Sequence, residues 1–334
     1  EGVTALGQDL FRWIDEEAGD VAIFDATNTT IARRAWVVAQ CNAHNRECAE
    51  GHKVKPVFVE SICNDPKVIE ANVRETKLSS PDYTDTDAES ATKDFLQRIA
   101  QYTKVYQPIQ EPDLSYIKLI DVGRQLVCNH IYGYLAWRLT FFVANLHPTP
   151  RPIFLTRHGE SEDSAIGRVG GNSSLTARGR EYGRQLSNFI RDQDLADPDE
   201  SLVVWTSTLK RTVETAKLLG LPFTEWKLLD SIDMGECHGM TEEEVFQHCP
   251  SYEPSSLTWR YPRGESVNDV IHRLDPVIIE LERQRGPVLI IAHQVVLRAL
   301  YSYLVGVPPE GVPTLAVPHH EVIQLTPKAY GCVE

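Results

Sequence analysis

Apolar residues in this chain gather into short runs that stop abruptly at polar or charged residues. Longer stretches between the runs carry apolar positions three and four residues apart. Residues 21–24, 57–63, 116–122, 141–146, 153–156, 202–205 and 288–292 are such runs, and they read as strands buried on both faces. Leu6, Leu10, Phe11 and Ile14 fall on one helical face, as do Phe95, Leu96, Ile99 and Tyr102. The spacing predicts helices over 3–17, 31–42, 68–77, 88–106, 126–136, 176–190, 267–285 and 295–304, with loops at 45–55 and 78–83. Strands alternating with helices predict an α/β fold in which helices cover both faces of a mostly parallel sheet.

The proline-rich piece His147-Pro-Thr-Pro-Arg-Pro152 breaks the alternation and predicts a boundary near residue 150. A chain of 334 residues is also long for one core. Two domains are expected, 1–149 and 150–334, each built on its own mostly parallel sheet.

The formal net charge is −14, which argues against nucleic acid or an anionic membrane surface as partner. No apolar run has the length of a membrane helix, and the first residues, Glu1-Gly-Val-Thr-Ala, have no signal-peptide pattern. A cytoplasmic location is the expectation. The seven cysteines (Cys41, Cys48, Cys63, Cys128, Cys237, Cys249 and Cys332) show no Cys-x-x-Cys spacing and read as free thiols of a reducing compartment.

Candidate chemistry sits where strands end. The run 153–156 delivers Arg157-His158-Gly159, and 288–292 delivers His293-Gln294. The run 202–205 leads into Thr206-Ser-Thr-Leu-Lys-Arg211-Thr212 at the start of a helix. Parallel strands place their carboxyl ends at one edge, where α/β sheets hold ligands. Imidazole can take up a phosphoryl group covalently, a guanidinium grips phosphate oxygens bidentately, and a helix N-terminus favours anions. Gly167-Arg-Val-Gly170-Gly171 is a loop able to approach a ligand closely. In the first half, the run 21–24 ends at Asp25, either a Mg²⁺ or base aspartate or a helix cap. No Gly-x-x-x-x-Gly-Lys-Ser/Thr occurs in the 334 residues, so this half alone does not read as a working ATP site.

Leu155-Thr-Arg-His-Gly-Glu-Ser161, Trp205-Thr-Ser-Thr-Leu-Lys-Arg-Thr212, Tyr261-Pro-Arg-Gly-Glu-Ser266 and Ile291-Ala-His-Gln294 resemble the histidine phosphatase (phosphoglycerate-mutase-like) superfamily. Phe24-Asp-Ala-Thr-Asn-Thr-Thr30, Glu60-Ser-Ile-Cys-Asn-Asp65, Lys77-Leu-Ser-Ser-Pro-Asp-Tyr83 and Leu114-Ser-Tyr-Ile-Lys118 resemble the kinase half of the 6-phosphofructo-2-kinase/fructose-2,6-bisphosphatase family. The resemblance runs in order through nearly the whole chain. It implies His158 as the nucleophile that takes the 2-phosphoryl group. His293, Arg157 and Arg211 would stabilise that group, and Gln294, Arg298, Ser164 and Gly170 would contact substrate. In the kinase half it implies Asp25 for Mg²⁺, and Thr27, Lys77, Arg98 and Tyr102 for fructose 6-phosphate or the moving phosphate. ATP and Mg²⁺ would serve the kinase only with a P-loop, which lies before Glu1 or is missing; the phosphatase would need no cofactor. Sugar phosphates, fructose 2,6-bisphosphate and fructose 6-phosphate, are the expected partners, with a homodimer as the expected assembly.

The sequence departs from the family pattern at Ser231, which stands where the family has its general-acid glutamate. Asp230, Asp233 or Glu236 would have to substitute. Ser164 stands at an expected asparagine and Glu242 at an expected tyrosine. The segment 252–259 lacks the Arg and Lys that grip the 6-phosphate. A weakened phosphatase, a phosphatase of altered specificity and a binding protein without turnover are the three readings left open.

Overall fold

The computed structural model describes residues 2–17, 19–73, 88–121, 124–145, 151–193, 195, 201–328 and 331–334. It contains two compact units, Glu1–Ala144 and Asn145–Glu334.

The first unit runs α1 (Gly2–Glu17), α2 (Ile31–Glu47), β1 (Phe58–Ile62), α3 (Pro66–Asn72), α4 (Ala88–Val105), β2 (Tyr116–Ile120), β3 (Gln125–Asn129) and α5 (Tyr134–Asn145). Its sheet has the order β1-β2-β3, with β1 and β2 parallel and β2 and β3 antiparallel, so it is mixed. Arg34 of α2, nearly fully buried, ties the segment before the helix to the segment after α4. It donates to Asn28 O (3.2 Å) and Gln107 O (2.8 Å) and pairs with Glu111 (2.8 Å). That ion pair pulls the Glu111 carboxyl down to about 2.

Four sequence expectations fail here for identifiable reasons. Residues 126–136 are not one helix: 126–129 belong to β3, and only 134–136 are helical, as the start of α5. Asp121, at φ +48°, and the bond from Arg124 N to Asp121 O (3.2 Å) reverse the chain, and pairing with β2 decides the conformation of β3. Residues 141–145 are not a strand but the end of α5, since a short apolar run fits either element; Leu146 lies outside the described residues. Residues 21–24 form no strand. No described strand lies beside them to complete a ladder, and Val21 and Ile23 are 60% and 84% exposed. Residues 45–55 are not all loop, because α2 continues to Glu47 and the Asn45 side chain then bonds both N and O of Val54 (2.7 and 2.8 Å). The expected turn at 78–83 lies outside the described residues.

The second unit runs β4 (Ile153–Arg157), α6 (Glu162–Ala165), α7 (Ala177–Asp192), β5 (Val203–Thr206), α8 (Lys210–Lys217), β6 (Thr224–Glu225), α9 (Glu242–His248), α10 (Val267–Arg273), α11 (Asp275–Arg283), β7 (Val288–Ala292), α12 (Gln294–Val305), β8 (Val322–Lys328) and β9 (Gly331–Val333). The sheet order is β6-β5-β7-β4-β8-β9, parallel from β6 through β4 and antiparallel at β8 and β9. Side chains alternate across it. Ile153, Leu155, Val288 and Ile290 face one buried cluster, and Phe154, Val204, Leu289 and Ile291 face another. Cores on both faces explain why these strands read as unbroken apolar runs.

Thr176 caps α7 by accepting from Gly179 N, as its position before an apolar-periodic stretch implies. Ser161 with Ser164, Thr241 with Glu244 and Ser266 with Asp269 form capping boxes on α6, α9 and α10.

Candidate active site

Register places the site. In the parallel neighbours β4, β7 and β5, Arg157 pairs with Ala292 and Thr206 with Ile291. The next residues, His158, His293 and Ser207, therefore leave the sheet side by side at its carboxyl edge. The His158 and His293 rings are 5.1 Å apart, tilted by 55°. Both are buried, and so is Arg211 of α8 between them.

Partners that can only donate or only accept fix the protons. His158 Nδ1 lies 2.7 Å from Gly159 O, so Nδ1 carries the hydrogen. Arg211 Nε donates to His158 Nε2 at 3.0 Å, so Nε2 presents its lone pair. Arg211 Nη2 lies 3.3 Å from His293 Nδ1, which accepts, leaving the His293 hydrogen on Nε2 to meet Ser207 Oγ at 2.8 Å. Ser207 passes its own hydrogen to Thr212 Oγ1 (2.7 Å), which donates to Leu209 O (2.7 Å). The third arm of Arg211, Nη1, holds Gly171 O at 2.8 Å. Gly171 has φ +70°, and a β-carbon there would collide with the Asp163 carboxylate; the loop needs glycine to bring that carbonyl to the guanidinium.

Burial first, and Arg211 second, hold His158 and His293 well below the ordinary imidazole range. Burial first, then the charges of Arg298 and Arg211, brings Arg157 down to about 10; burial brings Arg211 down to about 10 against the pull of Asp163 and Asp230. The site is a concentration of positive charge prepared for an anion. Arg157 Nη1 donates to Val317 O (3.2 Å), while its buried Nε has no partner among the described residues.

The depressed imidazoles have a consequence for stability. Below pH ~6.5 the unfolded chain protonates His158 and His293 while the folded protein keeps them neutral, so stability falls as pH falls. The slope is about 1.4 kcal/mol per pH unit for each. Urea unfolding between pH ~6.5 and ~5 should show it, and His158→Asn should flatten it; an unchanged slope in that variant contradicts the assignment.

Gln294 and Arg298 of α12 line a cavity of about 420 Å³ together with Tyr252, Glu253, Ser256 and Trp259. Arg298 commits Nε to Leu315 O (2.6 Å). Gly170, at φ +73°, packs against His238. Ser164 turns its hydroxyl into the capping box of α6, bonding Ser161 O (2.9 Å) and Ser161 N (2.8 Å). Glu236 is exposed and meets Arg263 (3.1 Å) and His248 (3.7 Å).

Pattern reading missed Ser207, Thr212, Gly171 and His319. His319 lies 5.8 Å from the His158 ring, with its buried Nδ1 unpartnered among the described residues; burial and then Arg157 push it down to about 4, against a hydrogen bond to the His158 backbone. The visible signal was the His319-His320 pair just before β8. β8 runs antiparallel to β4, with Thr156 opposite Val322, which brings that pair back to His158.

The 6-phosphofructo-2-kinase family model matches residues 3–150, and the histidine phosphatase superfamily (branch 1) model matches residues 153–333. 6-Phosphofructo-2-kinase/fructose-2,6-bisphosphatase 4 of Homo sapiens is 46% identical over 332 residues, covering 97% of this chain and 68% of its own length. The chain belongs to the 6-phosphofructo-2-kinase/fructose-2,6-bisphosphatase family. 6-Phosphofructo-2-kinase/fructose-2,6-bisphosphatase 1 of Rattus norvegicus is 45% identical with the same coverage. Among solved structures, Bacillus stearothermophilus YhfR is 26% identical with TM-score 0.48, over 55% of this chain and 94% of its own.

In the kinase-like unit of this 6-phosphofructo-2-kinase/fructose-2,6-bisphosphatase family member, the expected residues form no comparable centre among those described. Asp25 and Thr27 are exposed in a segment outside helix and strand, and Thr27 meets Thr29 (3.0 Å). Arg98 and Tyr102 lie on the exposed side of α4, and Lys77 lies outside the described residues. The family model that matches this half implies ATP use; no Gly-x-x-x-x-Gly-Lys-Ser/Thr occurs in the 334 residues. No described helix is long and apolar enough to cross a membrane.

Proposed function

We propose that the second unit hydrolyses the 2-phosphate of fructose 2,6-bisphosphate through a phosphohistidine on His158. The observation that carries this reading is the lone pair of His158 Nε2 facing Arg211, with Nδ1–H committed to Gly159 O. Nε2 attacks phosphorus, the bond from phosphorus to the sugar O2 breaks, and the electron pair leaves with the oxygen, which takes its proton from solvent water. Water then attacks the phosphohistidine and releases inorganic phosphate. Arg157, Arg211 and His293 surround the oxygens on which negative charge accumulates. Gln294 and Arg298 hold the sugar phosphate in the adjoining cavity. Ser231 supplies no useful proton to O2, so turnover is slow.

A second reading has an observation of its own. The described lining of the cavity holds Arg298 as its cation against Glu242 and Glu253, a poor grip for a second phosphate. A monophosphate ester would suit such a wall better.

The test is phosphate release from fructose 2,6-bisphosphate and from a panel of monophosphate esters, with His158→Ala as control. Release confined to the bisphosphate supports the first reading and release confined to monoesters supports the second. Tight binding without release from any ester contradicts both and leaves a binding protein. ATP and Mg²⁺ belong to the kinase half, and this chain of 334 residues is expected to make no fructose 2,6-bisphosphate from fructose 6-phosphate and MgATP. Detectable product contradicts that expectation.

A further inference from the structure

Cys237 and Cys249 are twelve positions apart, a spacing that reads as two unrelated thiols. Folding brings them together. Cys237 ends the short turn of 3₁₀ helix Gly235–Cys237, and Cys249 is the residue that closes α9. Their Sγ atoms are 3.7 Å apart, both thiols are free, and both residues are buried. A disulfide requires about 2.05 Å. Two thiolates on one tetrahedral zinc, each about 2.3 Å from it, stand roughly 3.7 Å apart. The two thiols share a hydrogen bond at that distance, and the same spacing lets both sulfurs reach one tetrahedral ion without moving.

A third ligand is in place. His248, the last residue of α9, puts a ring nitrogen in the same cluster, with the three ligand atoms within 4.8 Å of one another. Its Nε2 lies 3.7 Å from Glu236 Oε2. Ligation through Nδ1 would leave Nε2–H for that carboxylate, the outer pairing that orients metal-bound imidazoles. One side of the cluster is apolar core and the other, at His248, is open, so the metal has both a dry thiolate side and an entry path.

We propose that Cys237, His248 and Cys249 form a binding site for a divalent d¹⁰ cation, zinc in the first place, with the fourth position open to water. Binding replaces two S–H bonds by two metal–thiolate bonds and releases two protons to solvent, with no change of oxidation state. The ion ties α9 to the segment of Met234 and Met240. That segment bounds the substrate cavity at Met234 and holds the glycine-rich loop through Val169 N to Met240 O (2.8 Å) and Gly239 N to Val169 O (2.9 Å). The site therefore braces one wall of the cleft from behind and takes no part in the phosphoryl transfer.

The test uses the whole chain, stripped with a chelator under reducing conditions and titrated with Zn²⁺ and separately with Co²⁺. The expected result is one metal per chain, a sulfur-to-cobalt charge-transfer band and the intense visible spectrum of tetrahedral cobalt. His248→Ala, at an exposed position, should weaken affinity by more than the roughly 10–100-fold that loss of an outer-shell partner costs. Cys249→Ala should lose the second thiolate and most of the charge-transfer intensity. Binding without a thiolate band, or unchanged affinity in both variants, assigns the metal to other histidines and overturns the proposal. So does an absence of binding, or ready closure of a Cys237–Cys249 disulfide that metal does not prevent. The His248→Ala arm keeps the proposal testable if a cysteine variant fails to fold.

Discussion

Replacing Arg211 with alanine is expected to lower phosphate release by about 10³-fold, with the loss in kcat rather than KM. This one side chain reaches His158 Nε2, His293 Nδ1 and Gly171 O (3.0, 3.3 and 2.8 Å). Before substrate arrives its N–H groups point at the two imidazoles. When a phosphoryl group lies between the rings, the same donors are aimed at its oxygens without further ordering. Removing a preorganised donor of this kind typically costs about 3–4 kcal/mol of transition-state stabilisation, and Arg211 supplies more than one. Arg211→Lys restores the charge but not the planar fork that spans two rings and a carbonyl, so it should recover little. A loss below tenfold in Arg211→Ala, measured by steady-state kinetics on protein of unchanged stability, would contradict the role assigned to it.

The second large effect is a gain. Ser231→Glu is expected to raise turnover by at least about 10²-fold, within the range general acid catalysis provides. Each neighbouring carboxylate already has other work. Asp230 accepts from Thr208 N (2.8 Å), Thr208 Oγ1 (2.8 Å) and Lys227 Nζ (2.6 Å). Asp233 takes Gly235 N (2.9 Å). Glu236 faces Arg263 and His248 (3.1 and 3.7 Å), and Glu265 is held between Asp233 N and Arg273 (both 2.9 Å). The backbone at Ser231 is fixed by Arg273 Nη2 to Ser231 O (3.2 Å), and its neighbour Ile232 lines the cavity. A glutamate introduced there arrives on a braced segment at the edge of the substrate space. The variant should also acquire an alkaline limb in its pH–rate profile, as its acid deprotonates. Unchanged turnover and an unchanged pH profile, with substrate still bound, would mean that some other group already protonates the leaving oxygen.

The phosphatase-like half was legible in the sequence because its chemistry is attached to its strongest pattern. The runs 153–156 and 288–292 are almost wholly apolar, since both faces of the sheet are covered; the first leads through Arg157 to His158 and the second directly to His293. Arg211 was readable for the same reason, as a cation at the start of the helix after a third such run. What stayed hidden depends on contacts between segments distant in the chain. Ser207 and Thr212 matter because His293 needs a hydrogen-bond acceptor at Nε2. Gly171 matters because its carbonyl meets Arg211, and His319 is brought in only by the antiparallel return of β8. Cys237 and Cys249 are silent in sequence for the same reason. In the first half, the pattern misassigns 126–129 and 141–145. A short apolar run there fits helix and strand equally well, and pairing with β2 decides the conformation of β3. The run 21–24 has strand composition but no described neighbour, and a strand is defined by its partner.

The central claim is that His158 Nε2 carries the phosphoryl group. Its most direct test is to mix the protein with fructose 2,6-bisphosphate labelled at the 2-phosphate, quench within the first turnover in alkali, digest, and locate the label. The predicted result is Nε2-phosphohistidine at His158, formed before free phosphate appears and absent in His158→Ala. Label on His293, label on Nδ1 of His158, or free phosphate released at full rate with no labelled protein would contradict it.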